Sequence, residues 1–331
     1  MLGEYPRLSD PLITLISKTN KIFEEFYYHK ISTLNFQNFE EELNAKKFVV
    51  SNESLGAGDW QIVDKKTKKL LEKIVSDSIP LSVYTDDEIY FGLKTGRNVA
   101  YIIDENQKNA FFKESYKYSD VIKPVATGDD MRRYYMKQKQ KYVILAKIGL
   151  DLKQYPLIEE HLLKFKSQLE SRSDKGKEWW QLRSCDYYDK LNATKIHIPA
   201  FAKEPRFTYD TEGFVPLGPA YFISTSDKYL AGIMNSKIFW YYLKKITPVL
   251  GDDEKSGRLV IRTTYLKNSP IKVASVEYQK TISNLVDEIL EIKSKNPNQN
   301  TGELESRIDK LVFQIYNLTE DEIKIIENAN A

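Results

Sequence analysis

The chain has 331 residues, 41% hydrophobic and 29% charged, with a mean hydropathy of −0.49. That is enough apolar chain for roughly two domains, and it excludes collagen-like, mucin-like and disordered classes. Forty-nine Lys and Arg stand against forty-seven Asp and Glu, but unevenly: residues 123–206 hold eighteen basic and eleven acidic residues, whereas residues 275–331 hold six and eleven. A basic middle inside a near-neutral chain is the footprint of a polyanion-binding surface, or of a solvated lysine-rich face. One cysteine, Cys185, rules out an internal disulfide framework and fits a reducing, cytoplasmic setting. Apolar runs such as Tyr142 to Ala146 and Ala220 to Ile223 are far too short for a membrane span. The start, with Glu4, Arg7 and Asp10, does not read as a secretory signal.

In chain order, Ser9-Asp10-Pro11 caps an expected helix carrying Leu12, Leu15, Ile16, Ile22, Phe23 and Phe26 at helical spacing. Strands are expected at Phe48 to Ser51 and Asp59 to Val63, around the turn Gly56-Ala57-Gly58, and a helix from Thr67 to Ile79 stops before Pro80. Ile89 to Asp104 reads as strand, glycine-bearing turn and strand; Tyr142 to Lys147 reads as a strand and Pro156 to Glu170 as a helix. Short strands are expected at Lys195 to Ile198, Phe207 to Tyr209, Ala220 to Ser224 and Leu259 to Thr263, with an aromatic helix from Asp227 to Ile246. Strands and helices do not alternate regularly, so the fold class is α+β. Ile282, Leu285, Val286, Ile289 and Leu290, then Leu304, Ile308, Leu311, Val312 and Ile315, mark a C-terminal antiparallel helical hairpin. Thr319 and Glu322 form a capping box for a last short helix.

Most enzyme signatures are missing. His29, His161 and His197 lie far apart beside one cysteine, without zinc spacing, and no nucleophile elbow, phosphate loop or dinucleotide turn occurs. Acid-x-Lys triplets of the nuclease kind stand at Asp64-Lys65-Lys66, Asp151-Leu152-Lys153 and Asp253-Glu254-Lys255. A chain this charged holds roughly seven by chance.

A series of mid-chain phrases rises above that background: Ile89 to Ile103 with Gly92-Leu93-Lys94-Thr95-Gly96-Arg97-Asn98 at its centre; Ile122 to Tyr134 with Gly128-Asp129-Asp130-Met131-Arg132-Arg133; Tyr155-Pro156; and Trp179-Trp180-Gln181-Leu182-Arg183. Leu230 to Lys237, Tyr265-Leu266 before Pro270-Ile271, and Ile308 to Thr319 complete it. In this order and spacing the chain, over roughly Asn52 to Glu327, resembles the TaqI-like C-terminal specificity domain of adenine-specific DNA methyltransferases and type IIG restriction-modification enzymes. The resemblance implies recognition of double-stranded DNA. The catalytic half of that family carries a glycine-rich S-adenosylmethionine loop and an Asn-Pro-Pro-aromatic site, and no Pro-Pro pair occurs here. No cofactor, metal or catalytic residue is therefore expected. The expected partners are duplex DNA and a methyltransferase domain, with or without a nuclease, in the same parent enzyme or in a separate subunit.

Three segments are candidates for DNA contact. Lys94, Thr95, Arg97 and Asn98 sit on a turn whose glycines allow close approach to a phosphate, or serve a plain hairpin turn. Arg132, Arg133, Lys137 and Lys139 open a run to Lys147 with six basic and no acidic residues. Arginine suits guanine and lysine suits phosphate, while the competing readings are a lysine-protected strand edge and an Arg pair tied to Asp129 or Asp130. Lys175, Lys177, Trp179 and Arg183 form a basic aromatic loop, in which at least one of the adjacent tryptophans belongs to the core.

The expected architecture is thus an N-terminal helical segment (1–46), a mixed-sheet target-recognition domain (47–272) and a C-terminal helical hairpin (273–331). The expected function is sequence-specific duplex binding without chemistry. Two other classes stay open: a metal-dependent nuclease fragment, with clustered carboxylates, and a scaffold subunit of a restriction-modification or phage-defence complex, with an exposed apolar hairpin face.

Overall fold

The computed structural model describes residues 24–29, 37–52, 62–137, 140–251 and 257–330. The order begins β1 (Glu25–Tyr28), α1 (Phe39–Lys46), β2 (Phe48–Ser51), α2 (Lys65–Val75), β3 (Ile79–Pro80) and α3 (Leu81–Tyr84). Next come β4 (Ile89–Phe91), α4 (Asn98–Tyr101), β5 (Ile102–Asp104), α5 (Glu105–Glu114), β6 (Ile122–Ala126), β7 (Lys141–Ile144), α6 (Pro156–Leu163) and α7 (Lys166–Glu170). Then follow β8 (Lys195–Pro199), β9 (Phe201–Ala202), β10 (Thr208–Asp210), β11 (Val215–Pro216), β12 (Ala220–Ser224), α8 (Lys228–Met234) and α9 (Lys237–Ile246). Last are β13 (Val249–Leu250), β14 (Arg258–Val260), α10 (Thr263–Lys267), β15 (Pro270–Ile271), α11 (Val276–Lys295), α12 (Gly302–Ile315) and α13 (Glu320–Asn330).

Residue alternation on one sheet organises the interior. In the order β10-β8-β12-β4 all neighbours are antiparallel, and the register puts Ile89, Ile223 and Ile196 on one face and Tyr90, Phe222 and His197 on the other. The first face packs on a helical layer: Leu70 and Ile74 of α2, Leu230 and Ile233 of α8, Phe239 of α9, Ile282 and Val286 of α11, and Ile308 and Val312 of α12. The second face packs on the sheet β11-β6-β7-β5 and on α6, through Val125, Val143, Ile144, Ile158 and Leu162. β11 joins β6 in parallel, so that sheet is mixed. The fold is α+β, with a central sheet between a helical layer and a second sheet. The apolar stripe of the α11–α12 hairpin, which an interaction subunit would expose, is buried in the same core as α8 and α9.

Several elements depart from local expectation. The helix expected from Ser9 to Phe26 lies outside the described residues as far as residue 23, and Glu25–Tyr28 is a strand paired with Phe48–Ser51. The Gly56-Ala57-Gly58 turn is also outside them, and Ile62 and Val63, expected in a strand, have no regular structure. The turn after Ile89–Phe91 does not close a hairpin: β4 pairs with β12, whereas β5 pairs with β7. The expected helix from Asp227 to Ile246 breaks at Asn235, whose amide donates to Phe207 O (2.7 Å) and Ala231 O (3.0 Å), while Ser236 Oγ accepts from Phe239 N and starts α9. Side-chain to backbone bonds of this kind compete with the helix ladder. The Pro156 to Glu170 helix likewise splits, with Phe165 turned back onto the His161 ring (5.5 Å). The capping box at the last helix forms, Thr319 N donating to Glu322 Oε2 (2.7 Å).

Candidate nucleic-acid interface

The two glycines of the first candidate segment have different physical reasons. Gly92 is inside: its N–H donates to Ala220 O (2.8 Å), and a Cβ there would meet three carbonyl oxygens at 3.1–3.2 Å. Gly96 has φ of +69°, which L side chains rarely adopt. Between them the chain crosses from the central sheet to the second sheet and exposes Lys94, Arg97 and Asn98. Thr95 points the other way; it is 2% exposed and its hydroxyl donates to Asn98 Oδ1 (2.6 Å). Arg97 Nε donates to Gln168 Oε1 (2.8 Å). Beside Asn98 and Val99 lies a cleft of about 550 Å³, reaching Lys141 and Phe165.

The third segment is fastened to the first by a residue that no sequence motif marks. Arg172 is 8% exposed. Its Nη1 donates to Thr95 O (2.8 Å), and its Nη2 to Tyr101 Oη (2.8 Å), Gln181 O (2.7 Å) and Trp179 O (3.3 Å). Tyr101 in turn donates to Trp180 O (2.9 Å), and burial pushes its phenol up to about 12 against the pull of the Arg172 charge. Lys177 and Arg183 are exposed on the fastened loop, and Lys175 Nζ caps Arg172 O (3.1 Å). Trp180 is the tryptophan in the core; Trp179 is half-buried, with the Lys166 ammonium 5.7 Å over its ring.

The second segment goes elsewhere. Tyr134 is fully buried with φ of +70°, and its N–H donates to Phe207 O (3.1 Å). Arg132 Nη1 donates to Asp129 O (2.9 Å) and Met131 O (2.8 Å). Arg133 pairs with Glu305 of α12 (2.5 Å) and donates to Asn235 O (2.6 Å), and Lys293 of α11 lies over the Tyr135 ring (5.0 Å). The arginine pair is therefore tied to backbone carbonyls and to Glu305 instead of to the Asp129 or Asp130 carboxylates. Asp130 itself accepts from Thr127 N and Oγ1. Lys137 is exposed, and Lys139 lies outside the described residues.

A second buried polar group lies on the inner face of the central sheet. Asp210 Oδ2 accepts from Lys195 Nζ (3.1 Å) and is 2.9 Å from His197 Nε2, and Asp210 Oδ1 accepts from Glu212 N (2.8 Å). Burial pushes the His197 and Lys195 pKa values down. Burial alone would raise Asp210, but the His197 bond and the Lys195 charge hold it below the usual carboxylate range. Lys195 and His197 are both 0% exposed, so this trio ties β8 to β10 and meets no substrate. Two of the acid-x-Lys carboxylates are helix caps: Asp64 accepts from Lys66 N and Thr67 N, and Asp151 from Lys153 N. The third triplet, Asp253-Glu254-Lys255, lies outside the described residues. Among the described residues no three His, Cys, Asp or Glu side chains cluster, and no helix is long and apolar enough to cross a membrane.

Residues 123–271 match the family described as the TaqI-like C-terminal specificity domain. The chain is 27% identical, over 292 residues, to the Type II methyltransferase M.MjaIV of Methanocaldococcus jannaschii, covering 83% of this chain and 90% of that protein. Among solved structures, the Type IIL restriction-modification enzyme MmeI in complex with DNA aligns with a TM-score of 0.54 at 14% identity, over 73% of this chain and 35% of that one. The type IIG restriction endonuclease BpuSI aligns at 0.42 and 14%, over 82% and 36%. The chain thus spans about a third of the length of those two enzymes. Lys94 to Asn98 precede the matched region; Arg132, Arg133, Arg172 and the Lys175 to Arg183 loop lie within it. Residues 123–271, set in an α+β fold shared with a Type IIL restriction-modification enzyme, are thus similar to the TaqI-like C-terminal specificity domain family.

Proposed function

We propose that this chain is the specificity part of a restriction-modification methyltransferase, that it binds duplex DNA sequence-specifically in the cytoplasm, and that it performs no chemistry by itself. The juxtaposition through Arg172 of two exposed basic segments, Lys94 to Asn98 and Lys175 to Arg183, carries the reading. On this surface Lys94 and Lys177 supply flexible ammonium groups for phosphates, with exposed Lys137 as a further candidate, while Lys175, bonded to Arg172 O, adds its charge beside them. Arg97 and Asn98, beside the cleft, present the fork and amide that suit guanine and adenine edges, and Arg183 with Trp179 flanks them. Arg132 and Arg133 hold residues 131–136 in place, Arg133 against α12. The acidic hairpin, repelled by phosphate, faces away from the duplex and toward the methyltransferase partner. The division into 1–46, 47–272 and 273–331 belongs to the same proposal, although α11 and α12 share their core with α8 and α9.

Titration of the intact chain with random duplex tests the binding itself. Affinity should fall linearly in log–log form as salt rises, with a slope of about −3 or steeper. No binding at low salt refutes the reading.

The similarity to a methyltransferase over 90% of that protein favours a second reading, in which this chain takes part in methyl transfer. Among the described residues, the Gly92 to Gly96 turn does not fit the methyl donor. The Gly92 to Gly96 turn faces carbonyl oxygens at Gly92 and the Asp174 carboxylate at Gly96, leaving no glycine-lined cradle, and no Pro-Pro pair exists to hold a target base. Calorimetry with S-adenosylmethionine should be silent; stoichiometric binding in the micromolar range would establish the second reading.

A further inference from the structure

We infer that Arg172 is a positioning residue for recognition: it makes the Lys94 to Asn98 turn and the Lys175 to Arg183 loop one rigid reading surface, so its loss removes discrimination between duplexes more than affinity for DNA. This inference rests on the proposed function. Five acceptors surround the guanidinium: Nη1 donates to Thr95 O, the two N–H groups of Nη2 are shared among Tyr101 Oη, Gln181 O and Trp179 O, and Nε donates to its own helix end, Leu169 O (3.4 Å). All five are neutral, four carbonyls and a phenol, and they come from separate stretches of chain. A buried cation is costly unless each of its nitrogens finds an acceptor, as all three do here. Engagement of the fork therefore fixes both segments at once.

The packing leaves no slack between them. A Cβ on Gly96 would fall 2.8 Å from Asp174 Oδ1 and 3.1 Å from Arg172 Cδ, so the turn rests directly on the Arg172 stem. On the loop side, a Cβ on Gly176 would fall 2.5 Å from Gln181 Oε1, which accepts from Glu178 N (3.1 Å). Tyr101 stacks its ring 5.2 Å from the guanidinium carbon and relays the network to Trp180 O. Groove reading needs its side chains held to about 0.5 Å, whereas a mobile ammonium finds a phosphate without such order.

The experiment compares Arg172→Lys with the unaltered chain, using the selected duplex and a random one. Lysine keeps the charge but presents three donors from one nitrogen, which cannot span these acceptors. Preference for the selected duplex should fall about tenfold or more while random-duplex affinity stays within about threefold. Tyr101→Phe, which removes only the relay hydroxyl, should shift preference in the same direction by a smaller factor and keeps the test open if Arg172→Lys folds poorly. Amide hydrogen exchange, measured without DNA, should quicken in residues 94–98 and 175–183 together in both variants. If the unaltered chain discriminates and the folded variants discriminate equally, or if only one segment loosens, the inference is overturned. If the unaltered chain does not discriminate, the functional reading fails and the inference fails with it, whatever hydrogen exchange shows.

Discussion

Replacing Asp210 with alanine should destabilise the chain by about 3–5 kcal/mol, because it leaves the buried Lys195 ammonium without a counter-charge. Lys195 and His197 are wholly enclosed between β8, β10 and the core below them, so water cannot take over the lost bonds. Denaturant melts of the intact protein at neutral pH measure the loss directly. A cost below about 1 kcal/mol would contradict a sealed ion pair.

The same trio sets a pH dependence. His197 and Asp210 both have folded-state pKa values below their unfolded ones, so each contributes stability above its unfolded pKa that is lost as pH falls toward the folded value. Unfolding free energy should therefore decline from about pH 6.5 downward as His197 is driven to charge, and further below about pH 4 as Asp210 is protonated. Lys195 has the same sign in a different window: its lowered pKa makes burial of the ammonium a cost at neutral pH that is relieved only as pH rises toward about 10.5.

The second large effect concerns binding. Alanine at Lys94, Lys137 and Lys177 together should flatten the slope of log affinity against log salt by up to about 2–3 units, since each phosphate neutralised adds about 0.9. Arg97 stays in place as the groove reader: it uses Nε for Gln168, and no described residue accepts from its Nη groups. Arg133→Ala serves as the contrast. It should lower stability by about 1–3 kcal/mol through the loss of Glu305 and Asn235 O, with the partly exposed pair discounted for solvent, and should leave the salt slope unchanged. Equal slopes for the triple variant and the unaltered chain would move the DNA face elsewhere.

Much of the fold is legible in the sequence where the signal is periodic. Ile282, Val286 and Ile289 against Ile308 and Val312 mark the hairpin, Ala220 to Ser224 coincides with β12, and Thr319 with Glu322 announces the last helix. Elements fixed by distant partners are not legible. The break at Asn235 depends on Phe207, and the path after Gly92 depends on β12 and β11 lying against it, neither of which leaves a local pattern. Among the candidate residues, the sequence marks basic stretches but not which side chains are already engaged. Arg132 and Arg133 look as available as Lys94 and Arg97 until Met131 O, Asn235 O and Glu305 are placed beside them. Arg172 stands in an unremarkable Ser-Arg-Ser-Asp run, and only the convergence of Thr95, Tyr101, Trp179 and Gln181 on it shows what it does. The Lys195, His197 and Asp210 trio has a faint signal, two polar residues at period two in an otherwise apolar strand, which a pattern reading takes for a solvated face.

Selection of binding sites from a pool of random duplexes by the intact chain tests the central claim most directly. One defined motif should be enriched over successive rounds, and it should be lost or blurred when Arg97 and Asn98 are replaced by alanine, because groove contacts and not phosphate contacts distinguish sequences. A pool that remains unenriched while the chain still binds duplex DNA would show a chain that holds DNA without reading it.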